Sequence, residues 1–316
     1  MKPIEVLTQA LELIAALAAA PLFLGWVNKC RAWLQNRRAP SVWLPYRGIR
    51  KLFHKDAVIA ENASPLFRVA PYIVFGAMVV AAGIIPSMGT RLPFTIAADA
   101  IALVGLLATA RVFLSLAAMD IGTAFGTLGA RREMMVGFLA EPALLMVIFV
   151  ASIISATTAL PAIAENLATQ TLALYPSLAF TAVAFTLILL AENARIPIDN
   201  PATHLELTMI HEAMVLEYSA RHLALMEWAA SLKLFNYACI GFALFLPWGV
   251  STGTDGPLLL AASIPVLAAK LTVTGAALAF IETISAKLRV FRAPEFLAIA
   301  FILAVLGLLV HLLLGA

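Results

Sequence analysis

Charged residues and cysteines are both scarce in this sequence. Only 12% of its 316 residues are charged and 62% are hydrophobic, whereas about a quarter of the residues in soluble domains are charged. Water therefore cannot be the main solvent of the fold. The two cysteines, Cys30 and Cys239, exclude a disulfide framework and a cluster of thiolate ligands. Basic patches interleaved with aromatic residues on a soluble fold are also missing, which argues against a nucleic acid as partner.

Long apolar runs take up most of the chain. A spanning helix needs roughly 20 mostly apolar residues, while a membrane β-barrel shows alternating segments of about 10, so these runs predict helices. The sequence thus predicts an all-α, polytopic integral membrane protein in which about eight transmembrane helices form one bundle. Residues 1–316 are expected to form a single domain, because repeats, long linkers and low-complexity tracts are missing. The spans are predicted near 4–27, 69–87, 98–118, 137–158, 172–191, 229–249, 258–283 and 294–314.

Basic residues are distributed unevenly between the loops. Nine Lys and Arg residues but only two acids lie between the first two spans, and further basic residues follow spans three, five and seven. Since cytoplasmic loops carry the excess of Lys and Arg, the loop between the first two spans is expected to be cytoplasmic. Both termini are then extracytoplasmic, and the protein is predicted to cross the cell (inner) membrane several times.

Ionisable side chains inside or beside the spans are the strongest functional signal. A charge near the middle of a bilayer costs at least about 2.5 kcal/mol on insertion scales, so each such residue needs a partner, a water-filled cavity or a functional role. A line of acids that enters the membrane is what a proton relay needs. The predicted proton or ion path comprises Glu141, Glu192, Glu206, Glu212, Glu217, His204, His211, Asp199, Lys233, Lys270 and Glu282.

The segment after the fifth span is the richest in such residues. Glu192 closes the span within i+3 reach of Arg195, and two prolines then end the helix. The pattern from 202 to 218 is that of an amphipathic, cytoplasmic helix with acids on one face and histidines on another. Either this helix is simply wetted at the membrane interface, or its acids form a relay into the membrane.

Sequence motifs for metal binding or catalysis are missing. His211-Glu212 matches the start of the zinc motif His-Glu-x-x-His, but Val215 stands where the second histidine belongs. A Ser/His/Asp arrangement and a phosphate-binding glycine loop are likewise not recognisable. The chain is therefore predicted to hold no metal site and no catalytic residue.

A second polar cluster joins the third and fourth spans. It is predicted to be a loop that runs from Asp120 through several glycines to Arg131 and Glu133, since glycine permits tight turns and close backbone approach. A merely solvated loop would have the same composition. Glu141 lies about one turn inside the fourth span and is predicted to be a buried functional acid. Lys270, near the middle of the seventh span, either acts on a moving proton or neutralises a structural carboxylate.

The first cytoplasmic loop is both basic and aromatic. Lipid anchoring would produce such a loop, and so would a docking surface for a hydrophilic subunit. Leu52-Phe53 lies amid the charges, and an apolar pair in such a loop favours the docking surface.

Short motifs stand in a defined order along nearly the whole chain, at the predicted cytoplasmic ends of successive spans. They are Gln35-Asn36-Arg37 with Pro40, Gly129-Ala130 with Arg131 and Glu133, Glu141, Glu192 with Arg195-x-Pro197-x-Asp199, and Glu217-Tyr218-Ser219. In this arrangement the sequence resembles the membrane subunit shared by respiratory complex I (subunit 1, the H subunit of bacterial enzymes) and by group 4 membrane-bound NiFe hydrogenases. Segments 47–53, 120–125 and 246–249 are more similar to the hydrogenase-4 and formate hydrogenlyase branch. One departure is that 202, 204 and 206 are Ala, His and Glu, where complex I subunits usually carry three acids.

The resemblance implies a non-catalytic membrane anchor and ion-coupling subunit of a multisubunit hydrogenase or hydrogenase-related oxidoreductase complex. Expected partners are hydrogenase-like large and small subunits, an iron–sulfur subunit, antiporter-like membrane subunits and membrane lipids. The NiFe centre and the iron–sulfur clusters would belong to these partners. A carboxylate-lined funnel would link the peripheral redox arm to proton or sodium translocation. The docking surface or quinone-like cavity would comprise Gln35, Arg37, Arg47, Asp120, Arg131, Glu133 and Arg195.

Two alternatives stay open at this point. The first keeps the family but makes the chain the quinone-binding H subunit of an NADH:quinone oxidoreductase-type complex. The second is a stand-alone transporter, which would be expected to show paired repeats with broken helices.

Overall fold

The computed structural model describes residues 3–90, 93, 99–169, 175–199, 209–251, 257–286, 288 and 292–314. Within these ranges the secondary structure is helical, apart from one isolated bridge between Gly89 and Ser251. The described helices are α1 (Pro3–Leu34), α2 (Leu44–Phe53), α3 (Pro65–Ile84), α4 (Ala100–Asp120), α5 (Ala124–Ser155), α6 (Leu160–Thr169), α7 (Pro176–Glu192), α8 (His211–Val215), α9 (Ala220–Phe245), α10 (Pro257–Ile284) and α11 (Ala293–Leu314).

Seven of the described helices are long and apolar enough to cross a membrane, namely α1, α3, α4, α5, α9, α10 and α11. The predicted fifth span corresponds to α7, which is apolar but has only 17 described helical residues, the lower limit of about 17 for a spanning helix. It packs along α11 and against α5. The prediction of a polytopic, all-α membrane bundle is confirmed, whereas the cytoplasmic or extracytoplasmic position of the termini stays a prediction.

The fourth span differs most from its prediction. Helix α5 begins at Ala124 instead of near 137 and is 32 residues long, so the predicted loop is reduced to the turn 121–123, in which Gly122 has a φ of +74°. The next glycines serve close packing instead of turning the chain. A Cβ on Gly129 would lie 2.8 Å from the Ile210 carbonyl oxygen. Arg131 and Glu133 therefore stand on a helix, and the loop prediction for them is wrong.

The predicted amphipathic segment 202–218 is described only from 209 onward. There, only His211–Val215 are helical, and the chain turns again before α9 begins at Ala220. His204 and Glu206 lie outside the described residues. The short helix α8 is held by α5, because Arg132 donates a hydrogen bond from Nη1 to the Met209 carbonyl at 2.9 Å.

Helix lengths decide how deep the polar groups lie. Helix α9 begins nine residues before the predicted span near 229, so Lys233 lies about 20 Å along it at roughly 1.5 Å per residue. Helix α7, in contrast, ends at Glu192, beside α5 and α9. The end of the bundle that carries α2 and α8 is called the α2 face below.

Candidate functional site

Arg111 is buried on α4 at the centre of a group of charges. Its Nε lies 3.4 Å from Glu133 Oε1, its Nη1 lies 2.5 Å from Glu141 Oε1, and its Nη2 contacts Glu192 Oε1. Lys233 Nζ lies 3.0 Å from the other oxygen of Glu192. These five residues, from α4, α5, α7 and α9, are called the Arg111 cluster. They combine three carboxylates with two cations.

The local sequence explains why a guanidinium fits between these helices. Glu133 and Glu141 are two turns apart on α5, so their side chains project from the same side of the helix. Gly137 lies between them, and a Cβ there would be 2.7 Å from Arg111 Cδ. The glycine therefore leaves the space that the arginine side chain occupies.

The members of the cluster differ in their access to the surroundings. Only 1% of the Glu192 side chain is exposed, whereas 34% of the Glu141 side chain is exposed. The expectation of a buried acid at Glu141 is thus met only in part, and Glu133, predicted to lie in a loop, is the more deeply buried of the two. Glu141 is the member through which the cluster is most accessible.

A second ionic group stands nearer the α2 face. The Glu282 side chain is fully buried and lies 3.2 Å from Arg195 Nη1 and 3.5 Å from Arg31 Nη1. Although the sequence places Glu192 within i+3 reach of Arg195, the two residues bind other partners. The helix ends at Glu192 and Ala194 has a φ of +49°, so the i+3 geometry of a helix does not continue to Arg195. Burial lowers the pKa of the Arg195 guanidinium, and the charge of Glu282 opposes that change.

A cavity of about 290 Å³ lies between the two ionic groups. Its size admits several water molecules, each of which takes up about 30 Å³ in the liquid. Polar groups line it and can bind such waters. The polar lining residues are Asn28, Arg31, Glu192, Asn193, Arg195, Asp199, His211, Glu212 and Lys233.

His211 and Asp199 meet at this cavity. The Asp199 carboxylate accepts hydrogen bonds from the backbone N–H groups of Ile210 and His211, at 3.1 and 3.2 Å, and so closes the loop that precedes α8. Burial lowers the pKa of the His211 imidazole below 6.5, an effect that Glu133 opposes and Lys233 increases. The ring is therefore neutral near pH 7 and can accept a proton.

The other predicted residues lie away from these groups. Glu217 is exposed, and Lys270 lies toward the opposite end of the bundle, where its Nζ donates to the Leu246 carbonyl at 2.6 Å. Asp120 accepts the Ser64 backbone N–H at 2.9 Å, at the start of α3. The predicted docking residues Gln35, Arg37, Arg47 and Arg131 are exposed.

Sequence reasoning missed Arg111, the central residue. The signal was present, because Arg111 is the only Lys or Arg within the predicted span 98–118. Arg31 is one of the nine basic residues between the first two predicted spans, and the structure places it beside Glu282. In the part of the chain that the structure describes, no group of three His, Cys, Asp or Glu residues could hold a metal ion.

Comparisons with known proteins cover three quarters of the chain or more. A family model described as NADH dehydrogenase matches residues 8–313. The chain is similar to formate hydrogenlyase subunit 4 of Escherichia coli (strain K12), with 33% identity over 296 residues that cover 92% of this chain and 94% of that protein. It is also similar to hydrogenase-4 component C of the same strain, with 35% identity over 239 residues, or 75% and 74% of the two chains.

A solved structure shares the fold. It belongs to the membrane-bound sulfane sulfur reductase, an archaeal respiratory membrane complex, and matches with a TM-score of 0.81 over 95% of this chain and 98% of that chain. The sequence identity is 21%, so this likeness concerns the fold alone.

Proposed function

Because the chain belongs to the NADH dehydrogenase family, we propose that it is the membrane anchor and ion-coupling subunit of a hydrogenase-type redox complex. The two curated relatives support this assignment over a quinone-reducing complex, since one is named as a component of formate hydrogenlyase and the other as a component of hydrogenase-4. The catalytic NiFe centre and the iron–sulfur clusters would lie in partner subunits. The partners would be hydrogenase-like large and small subunits, an iron–sulfur subunit and antiporter-like membrane subunits.

The imbalance of charge in the Arg111 cluster is the observation that best supports a role in ion coupling. Three carboxylates face two cations, so the fully ionised cluster has a net charge of −1. Uncompensated charge is costly in apolar surroundings. The cluster would therefore bind one additional cation, either a proton or Na⁺, and release it when the local field changes.

The polar cavity provides the connection to a redox partner. It lies between Glu192 and Lys233 of the cluster and Arg31, Arg195 and His211 toward the α2 face. A partner docked on that face would change the electrostatic potential along this path when its redox centres change charge. Water in the cavity would carry protons between His211, Glu212 and the cluster. Glu141, which is the most exposed cluster member, would then exchange the ion with the neighbouring membrane subunits.

A charge-neutral substitution at Glu141 tests the coupling. We expect Glu141→Gln to leave the complex assembled and able to turn over, but to lower ion uptake per turnover severalfold in sealed vesicles, because the cluster then lacks the carboxylate through which the ion would be exchanged. Glu165→Gln is the matched control, because Glu165 lies on α6, away from the cluster. Unchanged ion uptake in the Glu141 variant would remove this residue from the path.

Purification tests the assignment to a complex. Affinity purification of the tagged chain from its native membranes should retain a hydrogenase-like large subunit, identified by mass spectrometry. Recovery of the chain alone, from membranes in which its neighbours are present, would contradict the anchor role. Inhibition of the purified complex by quinone analogues would instead support the alternative of a quinone-reducing complex.

A further inference from the structure

A second cavity, of about 240 Å³, lies in the membrane-spanning part of the bundle. Residues of α7, α9 and α10 line most of it, with Phe185, Phe242 and Phe245 as the bulkiest. Along α9 it extends from Leu234 to Leu246, about 18 Å at roughly 1.5 Å per residue. Most of the other lining residues are apolar. The hydroxyl of Thr186, which also lines the cavity, already donates to the Ala182 carbonyl at 2.8 Å. The cavity therefore has an apolar character.

The packing of α10 explains why this space exists. Helix α10 lies mainly along α1 and touches α9 over a short stretch only, which leaves a gap between α7, α9 and α10. Water is a poor filling, because a buried water needs two to four polar partners, and a dry cavity of about 150 Å³ accepts benzene. A whole helix, about 10–12 Å across with its side chains, is too wide. A single hydrocarbon chain has the matching size and chemistry.

A lysine stands at the end of this cavity that is remote from the Arg111 cluster. Lys270 Nζ donates to the Leu246 carbonyl at 2.6 Å and lies 5.8 Å from the centroid of the Phe242 ring, and both of these residues line the cavity. Among the described residues, no carboxylate lies within ion-pair distance of Lys270. A cation at this depth is costly without a counter-charge.

We propose that the cavity and Lys270 together bind one anionic phospholipid from the leaflet opposite the α2 face. One acyl chain occupies the cavity between α7, α9 and α10, and the phosphate supplies the counter-charge for the Lys270 ammonium. Only a ligand with both an apolar chain and an anionic group accounts for both the apolar cavity and a lysine without a counter-charge. The isoprenoid tail of a quinone would fit the cavity, but its neutral head would leave Lys270 without a counter-charge.

A variant that fills the cavity tests the acyl-chain position. Ala277 lines the cavity and is exposed, so Ala277→Phe should fill it without disturbing the core. Ala276→Phe is the matched control, because Ala276 is exposed but is not among the lining residues. In native mass spectrometry of the purified intact complex, we expect the wild type and the control to retain one phospholipid more than Ala277→Phe, with occupancy lower by about tenfold in that variant.

The headgroup contact is tested separately with added lipids. The wild-type complex should take up phosphatidylglycerol in preference to phosphatidylcholine, and Lys270→Gln should remove that preference while the cavity still accepts a chain. A phosphatidylglycerol with a photoreactive acyl chain should label peptides 234–246 or 274–281 of the wild type. This experiment does not depend on the folding of any variant.

Four results would overturn the proposal. Equal phospholipid retention by Ala277→Phe and Ala276→Phe would show that the chain lies elsewhere, as would photolabelling outside the two peptides. An unchanged preference for the anionic lipid in Lys270→Gln would remove the lysine from the site. Retention of a quinone in place of the phospholipid would identify a different ligand. The proposal does not depend on the coupling role, so these outcomes leave the Glu141 experiment unaffected.

Discussion

At the scale of single residues, the Arg111 cluster depends on how the Arg111 side chain fits against Gly137. Arg111 occupies the space that a side chain at position 137 would need, and three carboxylates hold its guanidinium from other sides. A guanidinium can form several directed hydrogen bonds at once. The position of Arg111 is therefore strictly determined.

We expect Gly137→Ala to destabilise the protein by about 1–3 kcal/mol, the usual cost of overpacking a core. The added Cβ would lie 2.7 Å from Arg111 Cδ, and the arginine cannot move away without losing ion pairs. Gly105→Ala on α4 is the control, because a Cβ there meets no atom within 4 Å. That change should be neutral or stabilise the helix by about 0.5–1 kcal/mol. Thermal unfolding in detergent compares the Gly137→Ala and Gly105→Ala variants, and equal shifts in Tm would contradict the prediction.

The environment of His211 predicts how the stability of the folded protein depends on pH. Burial holds the folded-state pKa of His211 below 6.5, with Glu133 and Asp199 opposing this effect and Lys233 adding to it. Between the folded-state pKa and 6.5 the unfolded chain binds a proton that the folded chain does not, so stability falls as pH falls below 6.5. His211→Gln should lose less stability between about pH 7 and pH 5.5 than the wild type.

Thermal unfolding at the two pH values measures this difference. His54→Gln is the control, because His54 is exposed at the end of α2, and it should behave like the wild type. A wild-type protein and a His211→Gln variant with the same pH dependence would contradict the assignment.

At the scale of elements, the positions at which helices end create the polar cavity between the two ionic groups. Helix α7 ends at Glu192 beside the longer α5 and α9, and the polar cavity occupies the space beyond its last turn. The end of α10 borders the same region, because Glu282 binds Arg195 and Arg31, and the Leu288 N–H donates to the Pro197 carbonyl at 2.8 Å. One buried carboxylate thus joins three segments of the chain.

Glu282→Gln should loosen this junction. The variant leaves two arginines near each other without an acid, and the loss of one partner from a buried ion pair costs about 3–5 kcal/mol. We expect backbone amides at the end of α10 and in 193–199 to exchange hydrogen at least about tenfold faster. Glu295→Gln, at an exposed position near the start of α11, is the control. Exchange rates that stay at wild-type values in the Glu282 variant would show that the junction does not depend on this charge.

At the scale of the whole molecule, the chain is a multi-pass membrane protein whose polar groups concentrate toward the α2 face. Exposed basic residues of the segment between α1 and α3, among them Arg37, Arg47 and Lys55, lie toward this end. The distribution of Lys and Arg predicts that this end faces the cytoplasm, and direct measurement can test that orientation.

Single-cysteine labelling tests the orientation. In a background with Cys30 and Cys239 replaced by alanine, we expect an impermeant maleimide to label Thr158→Cys but not Lys55→Cys in intact cells, since both positions are exposed but lie at opposite ends of the bundle. Both variants should react after permeabilisation, which controls for accessibility. The reverse pattern in intact cells would invert the proposed topology.

The sequence by itself determined that the chain is a multi-pass bundle of membrane helices and which family it belongs to, because apolar length and short ordered motifs are local properties. It also identified most members of the ionic site, since a charged residue stands out in an apolar run. Only the tertiary structure decided which charges meet. Arg111 binds acids from α5 and α7, and Glu282 binds arginines from α1 and the segment after α7. These partners are far apart in the chain, so helix lengths, helix ends and a missing side chain at Gly137 determine their pairing.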